Sequence, residues 1–252
     1  MNLLHITRKE LASYLTSSMS YLMLGIFLLL TGYMHWSGLK YFAEYSAQAG
    51  MDGPLQFSLN DVLQSLFENY SVLLTFIIPL MTMRLMAEEQ KQHTLEFLLA
   101  SPASTFEIVM GKFLAAMAWY SVMLAITSFY PLSVTTMATL DYGPILSGYF
   151  GFLLLGAGFV SVGLFASSMT QHQMVAGLIG FAVLLMLYLL SWLSSTGGST
   201  EVGWGIGYFS ISEHLSPFVK GLLRSTDVVY WLSLTFVFLL ATHQRTEALR
   251  YR

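Results

Sequence analysis

The chain has 252 residues, of which 55% are hydrophobic and only 10% charged, and it contains no cysteine. Disulfide bracing and thiolate metal ligation are thereby excluded. A formal net charge of −3, with no cluster of lysine and arginine, leaves no footprint for nucleic acid. A hydrocarbon layer about 30 Å thick calls for roughly 20 apolar residues per helix. Six runs approach or meet that length: about Met19–Trp36, Tyr70–Met86, Ile108–Leu132, Ile145–Met169, Met174–Leu193 and Val228–Thr242. Lipid supplies no hydrogen bonds, so spans are helices or closed barrels. These runs are continuous rather than alternating, which rules against a barrel. The chain reads as an all-α membrane protein with six transmembrane helices, in a single domain over residues 1–252.

Residues Asn2–Ser17 precede the first run. On a helical wheel Leu3, Leu4, Leu11, Tyr14 and Leu15 share one face; His5, Arg8, Lys9, Ser13 and Thr16 lie opposite, and Thr7 interrupts the apolar side. Such a segment suits an amphipathic helix in the membrane interface, with Arg8 and Lys9 near anionic headgroups and Leu11 and Leu15 in the apolar boundary. A basic topogenic leader is the plainer reading. The small residues of Ala47-Gln48-Ala49 fall far beyond the apolar run, so the first span is expected to stay uncleaved. Ser37 to Asn69 reads as an outer loop turning at Gly50, Gly53 and Pro54. Within it Leu59, Val62, Leu63 and Leu66 predict a helix leading into span two, capped by Asn60 or Ser58.

Span two contains Thr75, Pro79 and Thr82, candidate pathway-lining or hinge positions that ordinary packing around a proline would explain equally well. A charged island follows, Arg84 to Leu114, RLMAEEQKQHTLEFLLASPASTFEIVMGKFL. Glu88 and Glu89 come first; Thr94-Leu95-Glu96 leads into a leucine-rich helical turn; Ser101-Pro102 closes it; Glu107 and Lys112 flank the next span. A chain so poor in charge concentrates it here, between two spans, as a docking element for a soluble partner would require.

Span four is rich in glycine, at 148, 151, 156, 158 and 163, followed by Ser167. Small residues let helix backbones approach closely, and tight packing within the chain is the expected use, ahead of a dimer seam. The link Thr170–Gln173 leaves no room for a domain. Before the last span Ile211, Leu215, Phe218 and Leu222 form a helical stripe opposite Glu213, Ser216, Lys220 and Arg224. Pro217 predicts two short amphipathic helices or a kink, lying flat at the outer interface.

With the N-terminus inside, the inner segments hold Arg8, Lys9, Arg84, Lys91, Lys112, Arg245, Arg250 and Arg252, and the outer ones only Lys40, Lys220 and Arg224. The positive-inside rule therefore places both termini in the cytoplasm.

No catalytic constellation or metal site emerges. His5, His35, His93, His172, His214 and His243 map to loops or span ends, and no H-E-x-x-H occurs. Ionisable groups inside a membrane usually mark ion or proton paths; the middles of these spans have none, which argues against an ion-coupled carrier. Gly111-Lys112 is the sole Gly-Lys pair, but it lacks the upstream glycine of a phosphate-cradling loop and is followed by Phe113. Any ATP must be bound by another subunit.

The block EEQKQHTLEFLLASPASTFEIVMGKFLA resembles the cytoplasmic loop of type-2 ABC exporter (ABC-2) permeases, whose form is an acidic stretch, T-L-E-x-L-L-x-[ST]-P, then E-I-x-x-G-K. The opening ITRKELASYLTSSMSYLMLGIFLLLTGY is similar to the start of the same family. The tail ISEHLSPFVKGLLRSTDVVYWLSLTFVFLL resembles the last span of its gliding-motility-type and nitrous-oxide-accessory-type permeases. The resemblance implies a multi-pass permease of a bacterial inner membrane, with a cytoplasmic coupling helix between spans two and three. It implies that an ABC ATPase subunit docks on Glu88, Glu89, Thr94, Leu95, Glu96, Leu98, Leu99 and Pro102, and that this partner binds ATP and Mg. A second permease copy or a related permease would complete the pathway, with a membrane subunit bearing a large outer domain as a further partner. A non-transporting component of an envelope-assembly or mechanical-signalling complex is an alternative, and an intramembrane enzyme a second one.

Overall fold

The structure is a computed structural model that describes residues 2–52, 59–100, 103–135, 141–196 and 209–250. Among these every regular element is a helix: α1 (Asn2–Thr16), α2 (Ser18–Asp52), α3 (Leu59–Thr82), α4 (Arg84–Lys91), α5 (Thr94–Ala100), α6 (Thr105–Thr127), α7 (Phe129–Thr135), α8 (Tyr142–Ser168), α9 (Gln173–Thr196), α10 (Ile211–Val219) and α11 (Ser225–Arg250). Six stretches are long and apolar enough to cross a membrane: Ser18–Ala47, Asn60–Lys91, Thr105–Val134, Tyr142–Ser168, Gln173–Leu190 and Ser225–Arg250. The second joins α3 to α4 and the third α6 to α7. One end of the bundle gathers α1, α4, α5, the start of α6 and the last turns of α11, where Ile6 and Leu249 pack on one small apolar cluster. The first and last described helices, α1 and the end of α11, thus meet at this end.

Span four, α8, is the axle. It packs against α3, α4, α6, α9, α10 and α11. A Cβ at Gly148 would sit 2.9 Å from Phe67 of α3, and one at Gly151 would sit 2.7 Å from Phe218 of α10. Gly156 lies against Tyr120 of α6, whose hydroxyl donates to the Phe152 carbonyl at 2.8 Å. Gly163 lies against Thr82. The small-residue stripe is filled from within the chain, as expected.

Three expectations need correction. The segment from Ser37 is not a loop at its start: α2 continues to Asp52. Nothing between Trp36 and Gly50 breaks a helix, Gly38 lets Val62 and Leu66 close on it, and Leu39 and Phe42 pack against the core. His35 accordingly stands inside α2 rather than at a span end, its ring stacked on Tyr130 with centroids 5.4 Å apart. Asn60 does not cap α3, which already includes Leu59; its amide nitrogen instead donates to Asp141 Oδ2 at 3.4 Å. Ser58, Gly53 and Pro54 lie outside the described residues.

The third correction concerns the segment before the last span. Ile211–Val219 forms one helix with Pro217 near its end, and Gly221, at φ 85°, turns the chain away. Ile211, Leu215 and Phe218 are buried against the bundle, while Leu222, beyond the helix, is exposed. Gly151 accommodates this burial, since it opens a seat for Phe218 on the axle. The Gly-rich run preceding this helix lies outside the described residues.

Candidate functional site at the terminus-bearing end

The charged island owes its shape to local signals. The helix of span two runs almost unbroken through Met83 into α4. His93 then adopts φ 57°, the left-handed conformation that commonly ends helices, and the chain reverses into α5. Ser104 starts α6 through a capping box: its hydroxyl accepts from the Glu107 N–H at 3.2 Å, and the Glu107 carboxylate accepts from the Ser104 N–H at 3.0 Å. The S-x-x-E spelling of that box was readable in the sequence.

Helix α1 does not merely float beside this block. It presses on α6 with a face that includes Ile6, Glu10, Leu11 and Tyr14. Leu4 and Leu15 are exposed on a second face, and His5, Lys9, Ser13 and Thr16 on a third. Thr7, the polar interruption of the apolar side, lies on the inner face near Gly111 and donates to the Leu3 carbonyl at 2.9 Å. Arg8 is exposed and Leu11 half-buried.

At the crossing of α1, α4 and α6 lies Lys112, whose side chain is 1% exposed. Its Nζ stands 3.0 Å from Glu10 Oε1, 2.9 Å from Glu89 Oε2 and 2.7 Å from the Leu85 carbonyl. Lys9 approaches Glu89 Oε1 at 3.8 Å from the outside. Arg84 donates to Ser20 Oγ at 2.8 Å and lies 5.8 Å from the centroid of the Tyr14 ring. Burial pushes the Tyr14 phenol well above its ordinary range, against the pull of Arg84, so it stays protonated and donates to the Met81 carbonyl at 3.3 Å. Span four braces α4 from the other side: the N–H groups of Met86 and Ala87 both donate to Ser167 Oγ at 3.0 Å. A cleft of about 270 Å³ opens beside Lys112 between α1 and α4, with Glu88, Gln92 and Thr94 on its rim.

The residues singled out from the sequence divide sharply. Glu88 is half-buried on the cleft and Thr94 is exposed, whereas Glu89 turns inward to Lys112. Leu95 is buried with Ala103 and Ile108, and Leu98 packs beside them. The side chains of Glu96 and Leu99, and the whole of Pro102, lie outside the described residues. Phe97 went unnoticed in the sequence, yet it is 78% exposed, next to the exposed polar stretch Lys91–Thr94. The helical period could have found it, because Leu95, Leu98 and Leu99 mark one stripe and Phe97 falls on the other side. Thr75, Pro79 and Thr82 are buried inside the chain, with both threonine hydroxyls donating to carbonyls one turn back. The exposed side of span two shows Phe76 and Leu80 instead.

At the opposite end His214 Nδ1 donates to Asp227 Oδ1 at 2.7 Å, and its ring stacks on Tyr230 at 3.9 Å. Both partners are buried, a pairing the linear sequence does not announce.

Six membrane-length helices, with an ionic cluster and an exposed aromatic at one end, define a polytopic membrane protein. A family model described as ABC-2 family transporter protein matches residues 4–203. The chain belongs to that family: it is a permease, the non-catalytic membrane component of an ABC transporter. Membership removes the intramembrane enzyme from consideration. No curated protein matches the chain.

Proposed function

We propose that this permease couples ATP hydrolysis by a separate ABC ATPase to substrate export, and that α4–α5 is its coupling element. The observation that carries this reading is the two-sidedness of α5. Leu95 and Leu98 anchor the helix to the chain, while Phe97 projects outward beside polar residues. A few buried aromatic anchors dominate most interfaces, and Phe97, on the same α4–α5 element as Glu88, Thr94 and Glu96, offers one to an apolar socket on the partner. Glu89, Leu95 and Leu98 then brace the contact from behind.

The remaining parts of the reading follow the resemblance. The end bearing both termini faces the cytoplasm of a bacterial inner membrane, in keeping with its concentration of Arg and Lys. Helix α1 lies in the interface with Leu4 and Leu15 toward lipid. Residues 1–252 form one ABC-2-type transmembrane domain of the gliding-motility or nitrous-oxide-accessory type. A second permease pairs with it so that spans two and five border the pathway, and the ATPase holds ATP and Mg. Affinity capture from native membranes tests the reading directly. The wild-type chain should retain a soluble ATPase, and Glu96→Arg should weaken that retention while leaving membrane insertion intact. Unchanged capture by Glu96→Arg and Phe97→Ala alike would overturn the docking assignment. Substrate-dependent ATPase activity in liposomes separates export from a purely mechanical role.

A further inference from the structure

We propose that Lys112 is a positioning residue for coupling: it fixes α4–α5 against α1, so that the docking element and the N-terminal helix move as one body. The proposal rests on the docking reading above and extends it to a residue and a helix outside the contact surface.

The geometry has three parts. First, α6 receives α1 at Gly111, where a Cβ would lie 2.7 Å from Ile6 Cγ2. Glycine there permits the approach, and the next residue reaches across the gap it creates. Second, the Lys112 ammonium donates to Glu10 Oε1 on α1 and to the Leu85 carbonyl on α4, and forms an ion pair with Glu89 Oε2 on α4 at 2.9 Å. Third, the two carboxylates share one buried cation. Without Lys112 they would repel across the α1–α4 junction, because charges removed from water interact strongly. The only other ion pair across this junction among the described residues is Lys9 with Glu89, and Lys9 is 71% exposed, where such pairs contribute little.

A neutral, well-packed replacement for a buried ionic cluster often costs no stability. The charges at Glu10, Glu89 and Lys112 are therefore assigned to orientation. Stability alone would not require them, and that distinction makes the proposal testable. Lys112→Met alone should destabilise the permease, since it strands two acids. The triple variant Glu10→Gln/Glu89→Gln/Lys112→Met should recover thermal stability, yet permease-dependent stimulation, read per captured ATPase, should fall by about fivefold or more.

The absence of cysteine permits spin labels at His5→Cys on α1 and Lys91→Cys on α4 without background. Their distance distribution should be narrow in the otherwise unaltered permease and broad in the triple variant. A triple variant with full ATPase stimulation, or with an unbroadened distribution, would overturn the proposal. The distance measurement needs no partner, so it judges Lys112 even where the wild-type chain captures no ATPase, a result that would instead overturn the docking reading.

Discussion

Each end of the bundle buries a carboxylate against a basic group, but the two arrangements differ in reach. At the terminus-bearing end Lys112 gathers Glu10, from 102 residues upstream, and Glu89, and a cleft opens beside them. At the other end His214 and Asp227 are 13 residues apart, on α10 and the first turn of α11, packed under Tyr230. The second pairing ties neighbouring elements, and its reach is local. The first ties three elements, α1, α4 and α6, one of which belongs to the proposed partner surface. Similar chemistry thus serves as a pin at one end and as a junction at the other.

The comparison can be broken by substitution. Lys112→Met leaves two largely buried acids without their shared cation and is expected to cost about 3 kcal/mol, read as a lowered unfolding temperature in detergent; a wild-type value would dissolve the junction. His214→Leu strands Asp227, whose Oδ2 already has no hydrogen-bond partner among the described residues. Its cost should be about 3 kcal/mol. Because the pin is remote from α5, that variant should still capture the ATPase once folded; loss of capture in a folded His214→Leu would show that the two ends are not separable. Phe97→Ala should reverse the pattern, weakening partner binding by about 2 kcal/mol while thermal unfolding stays put. Smallest of all, Ser104→Ala removes the capping box of α6 and should cost about 1 kcal/mol, visible as faster hydrogen exchange in the first turn of α6.

Much of the fold was legible because lipid makes apolar length decisive, and the glycine stripe of span four announced close packing before any partner was known. Other features were hidden for identifiable reasons. Leu95 and Leu98 looked like partner contacts because amphipathicity says only that a face is covered; here the cover is Ile6, Ala103, Ile108 and Leu249 of the same chain. Glu89 reads in the sequence as a contact for the ATPase because its cation lies 23 residues on, inside the next span. Lys112 was dismissed as a failed phosphate loop and then as a flank of span three, since local sequence cannot show a meeting with Glu10. Phe97, by contrast, was available from periodicity alone.

Span four also has a bearing on how the chain is made. Helix α8 emerges from the ribosome well before α11, yet Gly158 is the seat for Trp231 and Leu234 of that last helix. Domains are synthesised from the N-terminus onward, so for a time the axle must sit in lipid with one side of its groove unfilled. A nascent chain stopped before Ser225 would leave that side of the groove without its filling.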